Sequence, residues 1–485
     1  MDLSEAQIEQ IVKGVLQKLK ASAPPAPAPE SASGPAAVVS GVVDGVFEET
    51  EEAIAAAAAA QKTFMAMPLA IRRAAIQAIR EVGAQNSQTY AELELEGAQL
   101  GSVEGTLLKM GCAVSSPGLE DLAPEVFVGD KGVTIIERLP VGVVASINPV
   151  TIAAGAIYMN SIMILAGGNA VVHNPHPKTV PVSAMAVRDI NQAVVGVGGP
   201  PNLVCMMSQP TVASAQFLMT HPKVRMIAVM GGQGVINFAT KTGKRCLAGG
   251  PGNTPVVVDE TADIPKAAKN ITDGNYFAYG TPCACEKEVF VVESVADQLI
   301  AEMRKNGAFL LTAEQGQELL PHIFKEIKEP GTASVINMDY IGKPISFILN
   351  AIGVDPGPEA RIAILETDNL HPLVWTEQIM SVVPIVRCRN ADEAIDRAVA
   401  AEQGFRHTLV MHSKNVDNLA KMASKADVCE FVKNGPSTAG IGVHGEGYQS
   451  MHIVTGGEGH ARPRNYTLIR RCILTDEFRY RYGAA

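Results

Sequence analysis

The segment VRMIAVMGGQGVINFA, residues 224–239, joins a short β-branched run to a helical pattern through Gly231, Gly232 and Gly234. A strand that turns through glycines into a helix is the building unit of a parallel α/β sheet. Bare backbone N–H groups and the helix dipole at such a turn favour a phosphate or the nicotinamide portion of a dinucleotide. The full G-x-G-x-x-G pattern is absent, and a glycine cluster after a strand also fits a simple tight turn.

Strand-like and helical patterns alternate on both sides of this segment. Short β-branched runs closed by Gly, Pro or Asn are VGVVASINPV (141–150), NAVVHNP (169–175), NLVCMM (202–207) and TPVVVDET (254–261). Helical stretches lie between them, and two more helices are predicted over 48–67 and 69–85. The alternation predicts β-α-β units and a doubly wound sheet. A second alternating region, from EKEVFVVES (286–294) to HTLVMHS (407–413), predicts another α/β domain.

Composition excludes several classes of protein. The chain has 485 residues, 47% of them hydrophobic, which suits a globular protein of two or three domains. A formal charge of -10 with scattered basic residues argues against nucleic acid as a partner. We find no membrane-spanning apolar run and no secretory signal, so we expect a cytoplasmic protein. The eight cysteines are too dispersed for a disulfide framework.

The N-terminus is organised separately. SEAQIEQIVKGVLQKLK (4–20) has apolar residues at helical spacing, so we predict an amphipathic helix within residues 1–20. A Pro/Ala/Ser-rich linker over 21–41 follows and cannot form a core. A short isolated helix is marginal in water, so its apolar stripe should dock on a partner. Docking on its own body or on a sister subunit is the alternative.

The segment TPCACEK (281–287) places Cys283 and Cys285 one residue apart. Such a pair can bind a metal, form a redox couple, provide one nucleophile beside a bystander, or pack in a core. A metal site needs further soft ligands at suitable spacing, and none is apparent. A second glycine run, AGGPGNTP (248–255), precedes the pair. The cysteines therefore follow two glycine turns at strand ends, where α/β proteins tend to bind ligands.

Seven segments, taken in their order along the chain, resemble the coenzyme-A-acylating branch of the aldehyde dehydrogenase superfamily. Within that branch they most resemble the propionaldehyde and acetaldehyde dehydrogenases of bacterial microcompartments. They are NAVVHNPHPKT (169–179), MGGQGV (230–235), AGGPGNTPVVVDETAD (248–263), TPCACEKEVFVVESVAD (281–297), WTEQIMSVVPIV (375–386), HTLVMHSKNVDNLA (407–420) and FVKNGPSTAGIGVHGEGY (431–448).

The resemblance implies an aldehyde-dehydrogenase-like fold of two doubly wound α/β domains and an oligomerisation β-hairpin. The implied division is a nucleotide-binding domain over 42–265, with an oligomerisation strand near 133–139, a catalytic domain over 266–435, and a return to the first domain and the hairpin over 436–485. It further implies a homo-oligomer, dimer or tetramer. The helix within 1–20 resembles an encapsulation peptide that binds shell proteins, which implies a location inside a microcompartment.

The family chemistry implies that Cys283 is the nucleophile, with Cys285 a bystander. The thiolate attacks a small aldehyde, hydride leaves to NAD, and a thioester remains on the cysteine. Hydrolytic relatives carry a glutamate that activates water, and the corresponding place, near Gly249, is glycine here. Coenzyme A is then the better acceptor, and the product is an acyl-CoA in a reaction that runs in either direction.

Cofactor contacts are also implied residue by residue. Glu377 matches a glutamate that contacts the nicotinamide ribose, although a solvent-facing acid is the alternative. The run Asn174, Pro175, His176 and Pro177 lies where the family holds the adenosine end, and His176 alternatively serves only as a turn residue.

One position departs from the family. The asparagine that donates to the developing oxyanion is replaced, depending on alignment, by Thr151 or Ile152. Loss of such a donor costs about 2.7–4 kcal/mol of transition-state stabilisation. The Cys283 backbone N–H, Asn148 or the Thr151 hydroxyl are the candidate replacements. A catalytically degenerate cargo or scaffold protein is the competing interpretation.

Overall fold

The structure, a computed structural model, describes residues 44–476. The predicted N-terminal helix and the linker to residue 41 lie outside the described residues. Between residues 44 and 476, none of the helices has the length and apolarity that a bilayer span requires.

Twenty strands are described, most of them short, buried and rich in β-branched residues. In chain order they are β1 (Val46–Phe47), β2 (Glu125–Gly129), β3 (Gly132–Pro140), β4 (Val143–Ile147), β5 (Ala170–Asn174), β6 (Val204–Met207), β7 (Val224–Met230), β8 (Arg245–Gly249), β9 (Pro255–Val258), β10 (Glu288–Val292), β11 (Ala308–Leu310), β12 (Phe324–Glu326), β13 (Val335–Ile336), β14 (Ile362–Thr367), β15 (Val382–Cys388), β16 (Thr408–His412), β17 (Glu430–Lys433), β18 (Ile453–Val454), β19 (Gly459–His460) and β20 (Thr467–Thr475).

The α-helices connect these strands. In chain order they are α1 (Thr50–Ala66), α2 (Leu69–Gln85), α3 (Ser87–Ala98), α4 (Val103–Val114), α5 (Ala153–Ala166), α6 (Val180–Gly196), α7 (Val212–Thr220), α8 (Gln233–Lys241), α9 (Ile264–Tyr276), α10 (Glu293–Lys305), α11 (Ala313–Ile323), α12 (Ile345–Asn350), α13 (Pro372–Trp375), α14 (Ala391–Ala401) and α15 (Val416–Lys425).

The first sheet has six parallel strands in the order β1-β6-β5-β4-β7-β8. The chain builds outward from β4 through β5 to β6 and then returns to place β7 on the other side of β4. Helix α5 is buried along its whole length, which matches its nearly all-apolar sequence. A doubly wound sheet binds ligands at the carboxyl ends of its strands beside such a reversal. The place to look for a cofactor is therefore the turn after β7.

The second sheet has seven parallel strands in the order β11-β14-β15-β10-β9-β16-β17. Its strand β9, which the sequence placed in the first domain, pairs with β10 and β16. The chain thus changes sheets between Gly249 and Pro255 and not after residue 265. A run of valines buried on both faces has the same sequence pattern in either sheet, so only the pairing reveals the boundary.

A smaller antiparallel sheet joins β2, β3 and β20. Strand β3 covers the predicted strand near 133–139, and β20 pairs with it along its full length. Both predicted α/β sheets and this hairpin are present, which confirms the predicted fold class. The segment before β20 packs on the first core through Val454, Ala461 and Tyr466. Large apolar side chains of the small sheet are exposed at Val126, Phe127, Val128, Leu468, Ile469, Ile473 and Leu474.

Candidate active site

The candidate site lies at the amino ends of three neighbouring strands in the second sheet. Gly252 precedes β9, Cys283 precedes β10, and His407 precedes β16. Because parallel strands bring their amino ends to one edge, Cys283 and His407 meet although 124 residues separate them. A Cβ placed on Gly252 would lie 2.8 Å from the Cys283 carbonyl oxygen and 2.8 Å from the His407 ring. The glycine is thus required by the close approach of both residues.

The loop before Cys283 is strained and anchored from below. Ala278 and Tyr279 have φ values of 48° and 55°, a left-handed conformation that costs free energy in residues with a Cβ. Lys287 is fully buried, and its Nζ donates to the carbonyl oxygens of Gly280 at 3.1 Å and Pro282 at 3.2 Å. The ammonium group therefore holds two carbonyls of the loop just before Cys283 and so fixes the position of Cys283.

Hydrogen bonds assign the tautomer of His407. The Thr408 hydroxyl donates its one proton to Glu430 Oε2 at 2.8 Å, so its oxygen can only accept from His407 Nδ1, also 2.8 Å away. His407 Nδ1 must then carry the proton. The unprotonated Nε2 faces Cys283 Sγ at 3.1 Å. This arrangement of nucleophile, base and orienting group is the one that proton abstraction from a thiol requires.

Burial keeps both partners uncharged near neutral pH. Burial, reinforced by the Glu377 and Glu430 carboxylates and opposed by Lys287, raises the pKa of the Cys283 thiol to about 12. Burial also lowers the pKa of His407 to about 4, although Glu430 works in the opposite direction. A thiol and a neutral imidazole are therefore the resting state, and the proton moves to His407 when the sulfur attacks.

The second cysteine has no such partner. Cys285 is buried, and within residues 44–476 its thiol makes one hydrogen bond, to the Phe277 carbonyl oxygen at 3.8 Å. Burial raises its pKa well above the ordinary range. Both cysteines are free thiols. Within residues 44–476 no cluster of His, Cys, Asp or Glu is arranged to hold a metal ion.

Glu377 lies beside the nucleophile in partly buried surroundings. Its Oε1 accepts a hydrogen bond from the Gly252 N–H at 3.1 Å. Burial raises the pKa of this carboxyl, while Lys287 and the Gly252 N–H oppose the rise. Glu377 is thus a positioned acid at the site, which a freely solvated surface carboxylate would not be.

The candidate oxyanion donors differ in how free they are. The Asn148 side chain accepts from Ser146 at 2.8 Å and contacts His173 Nδ1 at 3.1 Å, and only 4% of the residue is exposed. This engagement disfavours Asn148 as a donor. Thr151 lies partly exposed in a turn, where its carbonyl accepts from the Lys109 ammonium at 2.6 Å. Its hydroxyl has no hydrogen-bond partner among residues 44–476, so it remains available.

The residues predicted to hold the adenosine end lie at the carboxyl end of β5 in the first sheet. Asn174 Oδ1 accepts from Ser214 Oγ at 2.6 Å, which ties the end of β5 to the start of α7. His176 Nδ1 accepts from the Lys178 N–H at 3.2 Å and so caps the turn that contains Pro177. Burial lowers the pKa of His176. The turn residue predicted as an alternative is thus a real role of His176.

The glycine turn after β7 leaves open space. Gly232 caps α8, and a Cβ on Gly232 or Gly234 would meet nothing within 4 Å. Val212, at the start of α7, is 75% exposed. A helix N-terminus with open space in front of its N–H groups suits a phosphate, and an exposed apolar side chain suits a base. The residues present therefore fit a dinucleotide.

Sequence reasoning missed His407, Thr408 and Glu430. No sequence pattern links position 407 to Cys283. His407 appeared only as the first residue of the segment HTLVMHSKNVDNLA. The usable signal was a polar residue at the amino end of a buried strand, directly adjacent to the strand that follows the cysteine loop. Strand order, which the sequence did not supply, converts that signal into a contact.

Comparison with known proteins shows the family of this chain. The family model "Aldehyde dehydrogenase family" matches residues 33–318. The chain belongs to the aldehyde dehydrogenase family. EutE, an acetaldehyde dehydrogenase (acetylating) of Salmonella typhimurium, is 42% identical over 98% of this chain and 100% of that protein. The resemblance found in the sequence is confirmed.

Two solved structures have the same fold. The propionaldehyde dehydrogenase of Rhodopseudomonas palustris with bound propionyl-CoA gives a TM-score of 0.86 at 38% identity, covering 89% of this chain and 95% of that chain. The propionaldehyde dehydrogenase from the Clostridium phytofermentans fucose utilisation bacterial microcompartment gives a TM-score of 0.87 at 38% identity, covering 90% of this chain and 100% of that one.

Proposed function

We propose that this aldehyde dehydrogenase converts a small aldehyde, NAD and coenzyme A into an acyl-CoA and NADH, reversibly, through a thioester on Cys283. The observation that carries the proposal is the contact of Cys283 Sγ with the unprotonated Nε2 of His407 at 3.1 Å. A buried thiol next to an oriented neutral imidazole is suited to attack on a carbonyl carbon.

The first step forms the carbon–sulfur bond. As the sulfur attacks the aldehyde, the Cys283 proton moves to His407 Nε2, and the carbonyl oxygen becomes an oxyanion. The Cys283 backbone N–H is bonded to no other residue between 44 and 476, and the Thr151 hydroxyl is also free. We assign the oxyanion to these two donors, which replace the missing family asparagine.

A bound NAD would supply the hydride acceptor for the thiohemiacetal carbon, and Cys283 would then carry the acyl group as a thioester. Gly231, Gly232 and Gly234 would hold the dinucleotide at the N-terminus of α8, and residues 174–177 would hold its adenosine end. Glu377 would contact the nicotinamide ribose. The hydrogen bond from the Gly252 N–H holds the Glu377 carboxylate beside Cys283. We assign Glu377 no proton-transfer step.

Coenzyme A is the acceptor that the site favours. Water needs a base to activate it, and the position near Gly249 lacks the glutamate that hydrolytic family members use. A thiol needs only a weak base, which His407 supplies once it has released the Cys283 proton to solvent. The similar proteins support the same acceptor, since one is named as acetylating and another binds propionyl-CoA.

The competing scaffold interpretation has less support. The oriented base, the anchored nucleophile loop and the free oxyanion donors would serve no purpose in a protein kept for its fold alone. The relatives described above are named as enzymes.

We propose further that the protein is a homo-oligomer that works inside a bacterial microcompartment. The apolar residues exposed on the sheet of β2, β3 and β20 would be covered by another subunit. Residues 1–20 would bind shell proteins. The microcompartment origin of a solved relative supports this location.

The proposed reaction is tested with a panel of short aldehydes, each with NAD and with or without coenzyme A. We expect continuous NADH formation and equimolar acyl-CoA only when coenzyme A is present. Without coenzyme A, NADH formation should stop after one turnover per site. Continuous NADH and a free carboxylic acid without coenzyme A would overturn the acylating assignment, and no turnover of any aldehyde would favour the scaffold.

A further inference from the structure

The hydrogen bonds and ion-pair contacts around Cys283 extend past the base that the reaction requires. Glu430 accepts from Thr408 through Oε2, and its other oxygen, Oε1, lies 2.5 Å from His460 Nε2. His460 Nδ1 is 2.7 Å from the Ser450 carbonyl oxygen. The polar groups from Cys283 to His460 thus form one continuous series that crosses β16, β17 and β19.

Burial strengthens the electrostatic interactions within this series. His407 and Thr408 are fully buried, and the Glu430 side chain is 2% exposed. A carboxylate in such surroundings interacts strongly with nearby charges because water does not screen it. His460 is 12% exposed, and its neighbour Gly459 lines a cavity of about 300 Å³ shared with Arg406 and Cys429. The His460 end of the series therefore lies next to a cavity that solvent can enter.

The hydrogen positions follow from the acceptors. A carbonyl oxygen only accepts, so His460 Nδ1 carries a proton and donates to Ser450. His460 Nε2 then faces the carboxylate either as a bare nitrogen or as the N–H of an imidazolium. The charge on Glu430 is compensated in the second case and uncompensated in the first.

We propose that Thr408, Glu430 and His460 are positioning residues that set the basicity of His407, with His460 as the end that responds to pH. When Cys283 attacks, its proton moves to His407 Nε2, while Nδ1 keeps its proton and donates to Thr408. The Glu430 carboxylate stabilises the resulting imidazolium through the Thr408 hydroxyl. The inference rests on the proposed roles of Cys283 and His407.

The sign of the pH response follows from the charges. Burial disfavours charge on His460, but the contact with Glu430 outweighs it and raises the pKa of His460 above its ordinary value. Below that pKa the imidazolium compensates Glu430, and His407 is a weaker base. Above it the carboxylate is uncompensated, and His407 is a stronger base. Other groups facing His460 are His407 and His452, which both act on it as like charges when protonated, and the Tyr448 ring.

The test measures alkylation of Cys283 by iodoacetamide between pH 5.5 and 9, followed by peptide mass spectrometry. The measurement uses the full-length protein without aldehyde, NAD or coenzyme A, so it remains informative if the acyl-CoA activity fails. Because thiolate formation depends on pH in every variant, the rate of each variant is divided by that of wild type at the same pH.

Four variants carry the prediction. Glu430→Gln should react on the order of tenfold more slowly at high pH. Loss of the carboxylate should lower the pKa of His407 by about one unit, and one unit changes the proton-transfer equilibrium about tenfold. Thr408→Val should be similarly slow, whereas Thr408→Ser, which keeps the hydroxyl, should recover the rate. His460→Gln should react severalfold faster than wild type at low pH and equally fast at high pH.

The control is Asp427→Asn, which removes an exposed carboxylate bonded to Arg406 near the same cavity. Its ratio to wild type should stay at one throughout. Wild-type rates in Thr408→Val and Glu430→Gln would overturn the proposal. A His460→Gln ratio that does not vary with pH would overturn the role of His460.

Discussion

The two cysteines of the Cys-x-Cys segment, with one residue between them, differ in the reactivity that we assign to their thiols. Burial raises the pKa of both thiols, so acidity alone does not distinguish them. The distinction is the partner, because Cys283 faces a ring nitrogen at 3.1 Å and Cys285 faces a backbone carbonyl at 3.8 Å. The carbonyl can hold the Cys285 proton in place but cannot remove it.

Replacement of each cysteine separates their roles. Cys283→Ser should reduce acyl-CoA formation to background, because an alcohol is a much weaker acid and His407 cannot activate it. Cys285→Ser should keep most of the activity, since its thiol takes part in no step. Steady-state assays with coenzyme A measure both, and unchanged NAD binding in Cys283→Ser serves as the control. Full activity of Cys283→Ser would contradict the assignment.

Gly252 is the residue whose side chain must be absent. Gly252→Ala would place a methyl group 2.8 Å from both the Cys283 carbonyl and the His407 ring, so those groups must separate. We expect a loss of about 10²-fold in kcat, the usual cost of a misplaced catalytic group. Gly111→Ala, where a Cβ meets nothing within 4 Å, is the matched control. Equal activities of the two variants would show that the close approach is unimportant.

At the scale of elements, the sequence predicted most strands and helices because apolar periodicity and glycine turns mark them locally. It predicted the strand VVV near 256 but not its sheet, since buried parallel strands look alike. The cysteine loop could be located from its motif, whereas His407 could not be assigned. Its role depends on β16 lying beside β9, a pairing of segments about 150 residues apart that no local pattern encodes.

A buried ion pair joins α3 to α4, and both of its side chains also bind the backbone at the start of α5. Lys109 Nζ lies 3.2 Å from Glu94 Oε1 and also donates to the Thr151 carbonyl, while Glu94 Oε2 accepts from the Ala154 N–H. Both charged side chains are no more than 4% exposed. This pair therefore holds the turn that carries Thr151, the proposed oxyanion donor.

Lys109→Met should lower the free energy of unfolding by about 3–5 kcal/mol, because it leaves Glu94 buried and unpaired. The double variant Glu94→Gln/Lys109→Met should be less destabilised than Lys109→Met alone. Urea denaturation measures both. Lys425→Met, which breaks the exposed pair with Asp396, should cost less than about 1 kcal/mol. If Lys109→Met is no worse than this control, the pair does not anchor the turn.

At the scale of the whole molecule, the proposed catalytic site and the proposed targeting segment occupy separate parts of the chain. The residues proposed for catalysis and cofactor binding, including Thr151, all lie within 151–460, whereas the predicted targeting segment is 1–20 and the predicted linker 21–41. A function carried by a tethered segment should be removable without loss of the other.

Deletion of residues 1–20 should therefore leave acyl-CoA formation and subunit assembly intact while abolishing association with microcompartment shell proteins. Co-purification with shell proteins measures the association, and size-exclusion chromatography measures assembly. A reporter protein fused to residues 1–20 is the positive control and should associate. Loss of the oligomer on deletion would instead support docking of the helix on the protein's own body.

The thioester on Cys283 is the central claim, and it can be observed directly. The protein is incubated with a short aldehyde and NAD in the absence of coenzyme A, digested at low pH and examined by peptide mass spectrometry. Because no water-activating glutamate is present near Gly249, we predict an acyl adduct on Cys283 that accumulates with one NADH per site and disappears when coenzyme A is added. An adduct on Cys285, or NADH formed without any adduct, would contradict the account.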